Sequence, residues 1–237
     1  MTDPRVLRLA DVLVNYSVKI KPGDWVMINA AILAEPLVNE VYKKVTQAGG
    51  NCSVQWSNDA TAETFLKEGN KEQLGWLSPV KKMLYEQADV LIAIRAPENT
   101  RSLSGVDTEK QKQLGLTNRP LSETYMKRAA AGELRWVVTQ YPCPAYAQEA
   151  DMSLSDYQDF VYSTTFCDLE DPVSEWLKVH DEQQKIIDWL KGKKIVTVKS
   201  PNVDLTLSVE DRVFINSDGS KNMPSGEVYT GPVEDSA

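Results

Sequence analysis

The chain has 237 residues, 42% of them hydrophobic and 25% charged, which is typical of a soluble globular protein with one domain or a domain and part of another. The net charge of -8, without a segment rich in Lys and Arg, argues against a nucleic-acid partner. Apolar runs are too short to cross a bilayer, and the first residues lack a signal-peptide pattern, so we predict a cytoplasmic protein without membrane contact. The widely spaced Cys52, Cys143 and Cys167 favour reduced thiols over disulfides.

Helical and strand-like patterns alternate over most of the chain. The predicted strands are at residues 25–28, 52–56, 90–94 and 136–139. A helix from residue 4 to before residue 22 precedes the first strand, and a helix from residue 36 connects the first two. Helical segments up to residue 85 lead to the third strand, and two helices across 107–131 lead to the fourth. Unbroken apolar runs such as 90–94 are expected for parallel strands covered on both faces. The predicted fold class is therefore α/β, with a twisted, mostly parallel sheet and helices on both faces.

The pattern changes after a long helix that is predicted to start at Asp171-Pro172 and end at Gly192. Apolar and polar residues then alternate over 195–198 and 203–209, which indicates an antiparallel hairpin. We therefore predict an α/β amino-terminal domain over residues 1–190 and the incomplete start of a second domain with antiparallel strands over 191–237.

Four segments of the sequence resemble the M29 family of metallo-aminopeptidases. They are residues 9–23, 135–150, 152–157 and 216–237, so the resemblance extends over nearly the whole chain. It implies a cytoplasmic, homodimeric aminopeptidase that removes amino-terminal residues from peptides with two divalent ions, which are zinc, cobalt, magnesium or manganese. It also implies that residues 191–237 begin the metal-binding catalytic domain.

Glu227 is the one candidate metal ligand in this sequence. Pro224 and Gly226 favour a turn that aims the next side chain at the entrance of a strand, and without the resemblance Glu227 would be a solvated residue after that turn. The run Asn222-Met223-Pro224-Ser225-Gly226-Glu227 is similar to the family's first metal-ligand segment, which implies that Glu227 reaches the metal pair. The family's other ligands and its catalytic tyrosine are expected beyond residue 237. The chain alone is thus expected to contain no catalytic residue, to bind metal weakly and to be inactive.

Three further residues fall at predicted strand ends, where this architecture places ligand contacts. Arg95, Gln140 and Tyr141 are candidates for the edge of a substrate cavity, and the alternative is that they are loop residues in turn hydrogen bonds.

The competing interpretation is a non-catalytic nucleotide-binding or dimerisation module of doubly wound type. The turn after the first predicted strand, residues 29–35, contains no glycine that would let a phosphate approach the backbone. His180 is the only histidine, and its place on an apolar helix stripe predicts a packed or hydrogen-bonded structural role rather than catalysis.

Overall fold

The centre of the molecule is a parallel sheet of five strands. The structure is a computed structural model that describes residues 3–234. The strands of this sheet are β1 Trp25–Ala31, β2 Asn51–Ser57, β3 Val90–Arg95, β4 Arg135–Gln140 and β8 Asn222–Met223. They lie in the order β2-β1-β3-β4-β8, and every neighbouring pair is parallel. The four longer strands contain the predicted apolar segments.

The helices precede, connect and follow these strands. They are α1 Pro4–Asp11, α2 Glu35–Gln47, α3 Asp59–Glu68, α4 Lys71–Leu74, α5 Pro79–Gln87, α6 Thr108–Ala130, α7 Pro144–Glu149, α8 Leu154–Thr164 and α9 Pro172–Leu190, with a π-helix at Val12–Ser17 and a 3₁₀ turn at Ile32–Ala34. No helix among residues 3–234 is long and apolar enough to cross a membrane.

Side chains that alternate along β1 build the two sides of the core. Val26 and Ile28 join the main cluster with residues of α1, α2 and α9, whereas Met27 packs with Leu84 of α5 and Leu91 of β3 in a second cluster. This alternation is what a strand with two covered faces requires. The predicted α/β class with helices on both faces is confirmed.

One helix differs from its prediction. Residues 107–131 were predicted to form two helices, but α6 is continuous and has Pro120 in its interior. Asp107 caps its start by accepting a hydrogen bond from the Glu109 N–H. Because a proline ring removes only one helical hydrogen bond, a helix of 23 residues can continue past it.

The tail forms two small antiparallel sheets and one strand of the large sheet. Strands β5 Ile195–Ser200 and β6 Val203–Ser208 make the predicted hairpin, and β7 Ile215–Ser217 pairs with β9 Glu227–Tyr229. Between β7 and β9 the chain passes through β8, which adds to the edge of the parallel sheet beside β4. The domain boundary at residue 190 stays a prediction, and β8 ties the tail to the first unit.

Candidate functional site

The Asn-Met segment of the predicted ligand motif is the edge strand β8. The register places Asn222 opposite Val138 and Met223 opposite Thr139. The Val138 N–H donates to the carbonyl of Lys221 at 2.8 Å, and the Thr139 hydroxyl donates to the carbonyl of Met223 at 2.8 Å. Met223 is only 2% exposed and belongs to the main core cluster. The motif therefore starts from a fixed point of the sheet.

The following turn leads to Glu227 at the start of β9. The Met223-Pro224 peptide bond is cis, and Gly226 has a φ of 124°. The Gly226 N–H donates to the carbonyl of Ser217 at 2.8 Å, and Glu227 lies opposite Ser217 in the β7–β9 ladder. Glu227 is exposed at this strand entrance, which agrees with the turn predicted from Pro224 and Gly226. Its role as a metal ligand stays a prediction.

Asp218 and Gly219, directly after β7, attach the motif to the helices. The hydroxyl of Tyr16 donates to the carbonyl of Asp218 at 2.8 Å, and that of Ser17 donates to the carbonyl of Gly219 at 2.7 Å. Asp218 Oδ2 lies 2.7 Å from Nδ1 of His180 on α9. Burial raises the pKa of Asp218, but hydrogen bonds from Ser220 and His180 together lower it further, so the pKa is below its ordinary value.

His180 is hydrogen-bonded, as predicted, and its purely structural role stays a prediction. Asn216 adds a second contact, because its side-chain amide donates to the His180 carbonyl at 3.1 Å. The buried thiols Cys143 and Cys167 have pKa values raised by burial, which suits inert cysteines and not nucleophiles. Nothing local in the sequence indicates the pairing of His180 with Asp218, which lies 38 positions away.

The residues present do not complete a metal site. No group of three or more His, Cys, Asp or Glu side chains that could hold a metal ion exists within residues 3–234. Glu227 contributes one carboxylate, and a divalent cation needs several oxygen or nitrogen ligands. Two metal ions therefore do not fit the ligands that this part of the chain supplies.

A cavity of about 590 Å³ opens at the carboxyl ends of β1 and β3. The chain moves from β1 to β2 on one side and to β3 on the other, so this is the point where the strand order reverses. The floor includes Leu91, Ala93 and Val138. Polar side chains from several elements surround this floor: Asn29, Ser57, Asp59, Tyr85, Arg95, Ser122, Tyr125 and Tyr146.

Of the predicted cavity residues, the structure places Arg95 in this cavity. Gln140 is the neighbour of Arg95 in the β3–β4 ladder, and the Tyr141 N–H donates to the Arg95 carbonyl at 2.8 Å. Neither Gln140 nor Tyr141 is among the described residues that line the cavity, and Tyr141 packs against the main core. A role of all three in binding substrate stays a prediction.

Sequence reasoning did not identify the tyrosines of this cavity. Burial raises the pKa of Tyr85, and burial with the neighbouring Tyr85 raises that of Tyr125 to about 12. A tyrosine hydroxyl is neutral at physiological pH and can donate a hydrogen bond. They come from α5 and α6, and only the helix packing shows that these two positions converge on the end of the sheet.

Comparisons with known proteins agree with this architecture. The family model described as thermophilic metalloprotease (M29) matches residues 2–237. Aminopeptidase 2 of Geobacillus stearothermophilus is 25% identical, and the alignment covers 96% of this chain and 60% of that protein. The solved structure of wild-type AmpT from Thermus thermophilus matches with a TM-score of 0.77 at 17% identity, over 96% of this chain and 61% of that one. The chain thus spans about 60% of the length of its curated relative, and the structural match shows a shared fold.

Proposed function

Because this chain belongs to the M29 family of thermophilic metalloproteases, we propose that it serves in a metal-dependent aminopeptidase that removes amino-terminal residues from peptides. The observation that carries the proposal is the family match over residues 2–237. It includes the segment in which β8, the turn at Pro224 and strand β9 hold Glu227 at a fixed position. A curated relative named as an aminopeptidase supports the same activity. These matches favour a peptidase over a nucleotide-binding module.

In this proposal Glu227 is one ligand of the metal pair, which is made of divalent zinc, cobalt, magnesium or manganese ions. The remaining ligands come from outside residues 3–234, because those residues contain no group of three or more side chains that could hold a metal ion. What this chain supplies is the position of the carboxylate. The hydrogen bonds of Thr139 and Gly226 hold the strand and the turn on either side of Pro224, so the Glu227 backbone is fixed before any metal arrives.

The proposal includes a cytoplasmic location and a homodimer. All three cysteines are free thiols, as expected in a reducing compartment. Helix α9 exposes Leu177, Ile186 and Trp189, the last at 68%, and such apolar side chains support an interface between two copies. Light scattering of the purified chain would test the dimer, and a monomer at all concentrations would contradict it.

The activity is tested in a longer polypeptide in which the carboxy-terminal part of aminopeptidase 2 follows this chain. We expect cleavage of leucine p-nitroanilide that depends on added cobalt or zinc. Glu227→Gln should lower kcat/KM by at least about 100-fold, because it removes a ligand charge. Glu234→Gln, an exposed carboxylate beyond β9, is the matched control and should leave turnover unchanged. Equal turnover of both variants would refute the role of Glu227.

A further inference from the structure

The cavity at the ends of β1 and β3 contains polar side-chain atoms without a hydrogen-bond partner in the described chain, although the rings of Tyr85 and Tyr125 pack against the second core cluster. The side chains of Asn29, Tyr85, Ser122 and Tyr125 line it, and none of them has a side-chain hydrogen bond within residues 3–234. They come from β1, α5 and α6, so their convergence depends on the tertiary fold. Polar groups beside apolar side chains, at the reversal of strand order, are the features of a small-molecule site.

Arg95 gives this cavity its positive charge. Its guanidinium has no hydrogen bond or ion pair anywhere in the described chain, although most other arginines of this part of the protein are paired. The end of β3 holds its backbone, since the Arg95 carbonyl accepts from Tyr141. Arg95 is exposed, and a planar guanidinium without a protein partner is suited to a carboxylate, which it can bind through two parallel hydrogen bonds.

Asp59 supplies a negative charge to the same cavity. Its Oδ2 accepts the N–H groups of Glu98 at 2.8 Å and Asn99 at 3.1 Å, which fixes the loop after β3. Its Oδ1 has no hydrogen bond within residues 3–234 and remains able to accept one. Arg95 and Asp59 act in opposite directions on the pKa of Tyr146, so both charges lie near that hydroxyl. One positive and one negative group suit a zwitterion better than a phosphate dianion.

We propose that this cavity binds a small α-carboxylate with an apolar side chain, with the carboxylate on Arg95 and the side chain on the floor formed by Leu91, Ala93 and Val138. A free α-amino acid and the carboxyl end of a short peptide both present this chemistry. In the amino acid the ammonium group reaches Asp59. The proposal goes beyond the proposed peptidase function, because it concerns binding by this chain without turnover.

Binding is measured by calorimetry on the full chain with four probes that differ in charge. L-leucine and N-acetyl-L-leucine keep the carboxylate, L-leucinamide loses it, and glycyl-leucine presents it at the end of a peptide. We expect L-leucine and N-acetyl-L-leucine to bind, and L-leucinamide to bind at least about tenfold more weakly than L-leucine, since a charge-assisted hydrogen bond is lost. Tighter binding of leucine than of glycyl-leucine identifies the free amino acid as the ligand, and the reverse order identifies the peptide end.

Two arginine variants test the assignment of the carboxylate to Arg95. Arg95→Gln should weaken leucine binding by about tenfold or more, and Arg95→Lys should restore part of it. Arg119→Gln is the matched control, because Arg119 is an exposed arginine of α6 that pairs with Glu123, and it should bind like the unchanged chain. Circular dichroism verifies that each variant is folded. Equal binding of leucine and leucinamide, unchanged affinity in Arg95→Gln, preference for adenosine monophosphate, or no saturable binding of any probe would overturn the proposal.

Discussion

Position 219, just before the predicted metal-ligand motif, accepts only a glycine. Its φ of +89° is a left-handed conformation, and a Cβ at this position would lie 2.7 Å from Cε of Met223 and 3.1 Å from ring atoms of Trp176. Its carbonyl also accepts the Ser17 hydroxyl. Trp176 and Met223 are both fully buried. The chain therefore needs a glycine where it passes between α9 and the sheet edge.

Gly219→Ala should lower the free energy of unfolding by about 2–4 kcal/mol, because backbone strain and a steric overlap act together. Urea denaturation followed by tryptophan fluorescence measures the loss. Gly226→Ala is the control, since Gly226 has a φ of +124° but its Cβ would meet no atom within 4 Å. Gly226→Ala should therefore lower the free energy of unfolding through backbone strain alone. Equal losses in both variants would show that the contact with Met223 and Trp176 is unimportant.

The pair of Asp218 and His180 makes the attachment of the tail sensitive to pH. The pKa of Asp218 is lowered from its ordinary value of 3.8, so the folded state binds this proton less tightly than the unfolded state. The resulting stability is present above pH 3.8 and is lost as the pH falls through the lower, folded pKa. Acid should therefore weaken the contact between β7 and α9.

Asp218→Asn tests this linkage. Near neutral pH the variant should be less stable than the unchanged chain, and the difference in unfolding free energy should shrink as the pH falls below 3.8. His180→Gln removes one of the hydrogen bonds that lower the Asp218 pKa, so it should make the stability of the chain less dependent on acid. A stability difference that stays constant with pH would contradict the argument.

At the scale of elements, local patterns predicted the strands better than the helices. Strands such as Val90–Arg95 have apolar side chains at successive positions, and this signal is local. Strand β8 has only two residues, and its pairing with β4 depends on contacts over about 84 positions, such as the bond from Thr139 to Met223. Residues 107–131 were predicted to form two helices, but α6 is one helix that continues through Pro120.

The hairpin β5–β6 is exposed and accessible to a protease. Ile195, Val198 and Val203 are exposed, and the hairpin pairs only with itself within the described sheets. We predict that trypsin cuts first at Lys193, Lys194 or Lys199, all of which are exposed. Strand β8 should still hold the carboxy-terminal fragment on the sheet, so both fragments should co-elute in gel filtration.

Thr139→Val is the comparison for this experiment. It removes the hydroxyl that donates to the Met223 carbonyl, so the nicked protein should release its carboxy-terminal fragment more readily. Separate elution of the fragments from the unchanged chain would show that β8 does not anchor the tail. The first cuts falling within residues 1–190 would contradict the division into an amino-terminal domain and a less protected tail.

At the scale of the whole molecule, the resemblance predicted more of the site than the residue pattern did. Glu227 stands out through the motif around it, whereas the cavity of Arg95 combines β1, β3, α5 and α6 and has no single sequence signature. Arg95 could be placed at a strand end from the sequence because parallel strands end at one edge. The tyrosines of α5 and α6 could not, since their direction depends on how the helices pack.

The chain as a whole should bind divalent cations only weakly. Residues 3–234 contain no group of three potential ligands, and Glu227 is an exposed carboxylate at the start of β9. An ion that binds the folded state tightly raises the temperature midpoint of unfolding. Because we expect cobalt and zinc to bind this chain weakly, they should leave that midpoint almost unchanged. Calorimetry should find no site of micromolar affinity, and the purified chain should show negligible metal-dependent cleavage of leucine p-nitroanilide.

His180→Ala serves as the control for adventitious binding, because His180 is the only histidine. A tight site that disappears in Glu227→Gln but persists in His180→Ala would mean that this chain completes a metal centre, and it would refute the view that Glu227 needs ligands from elsewhere.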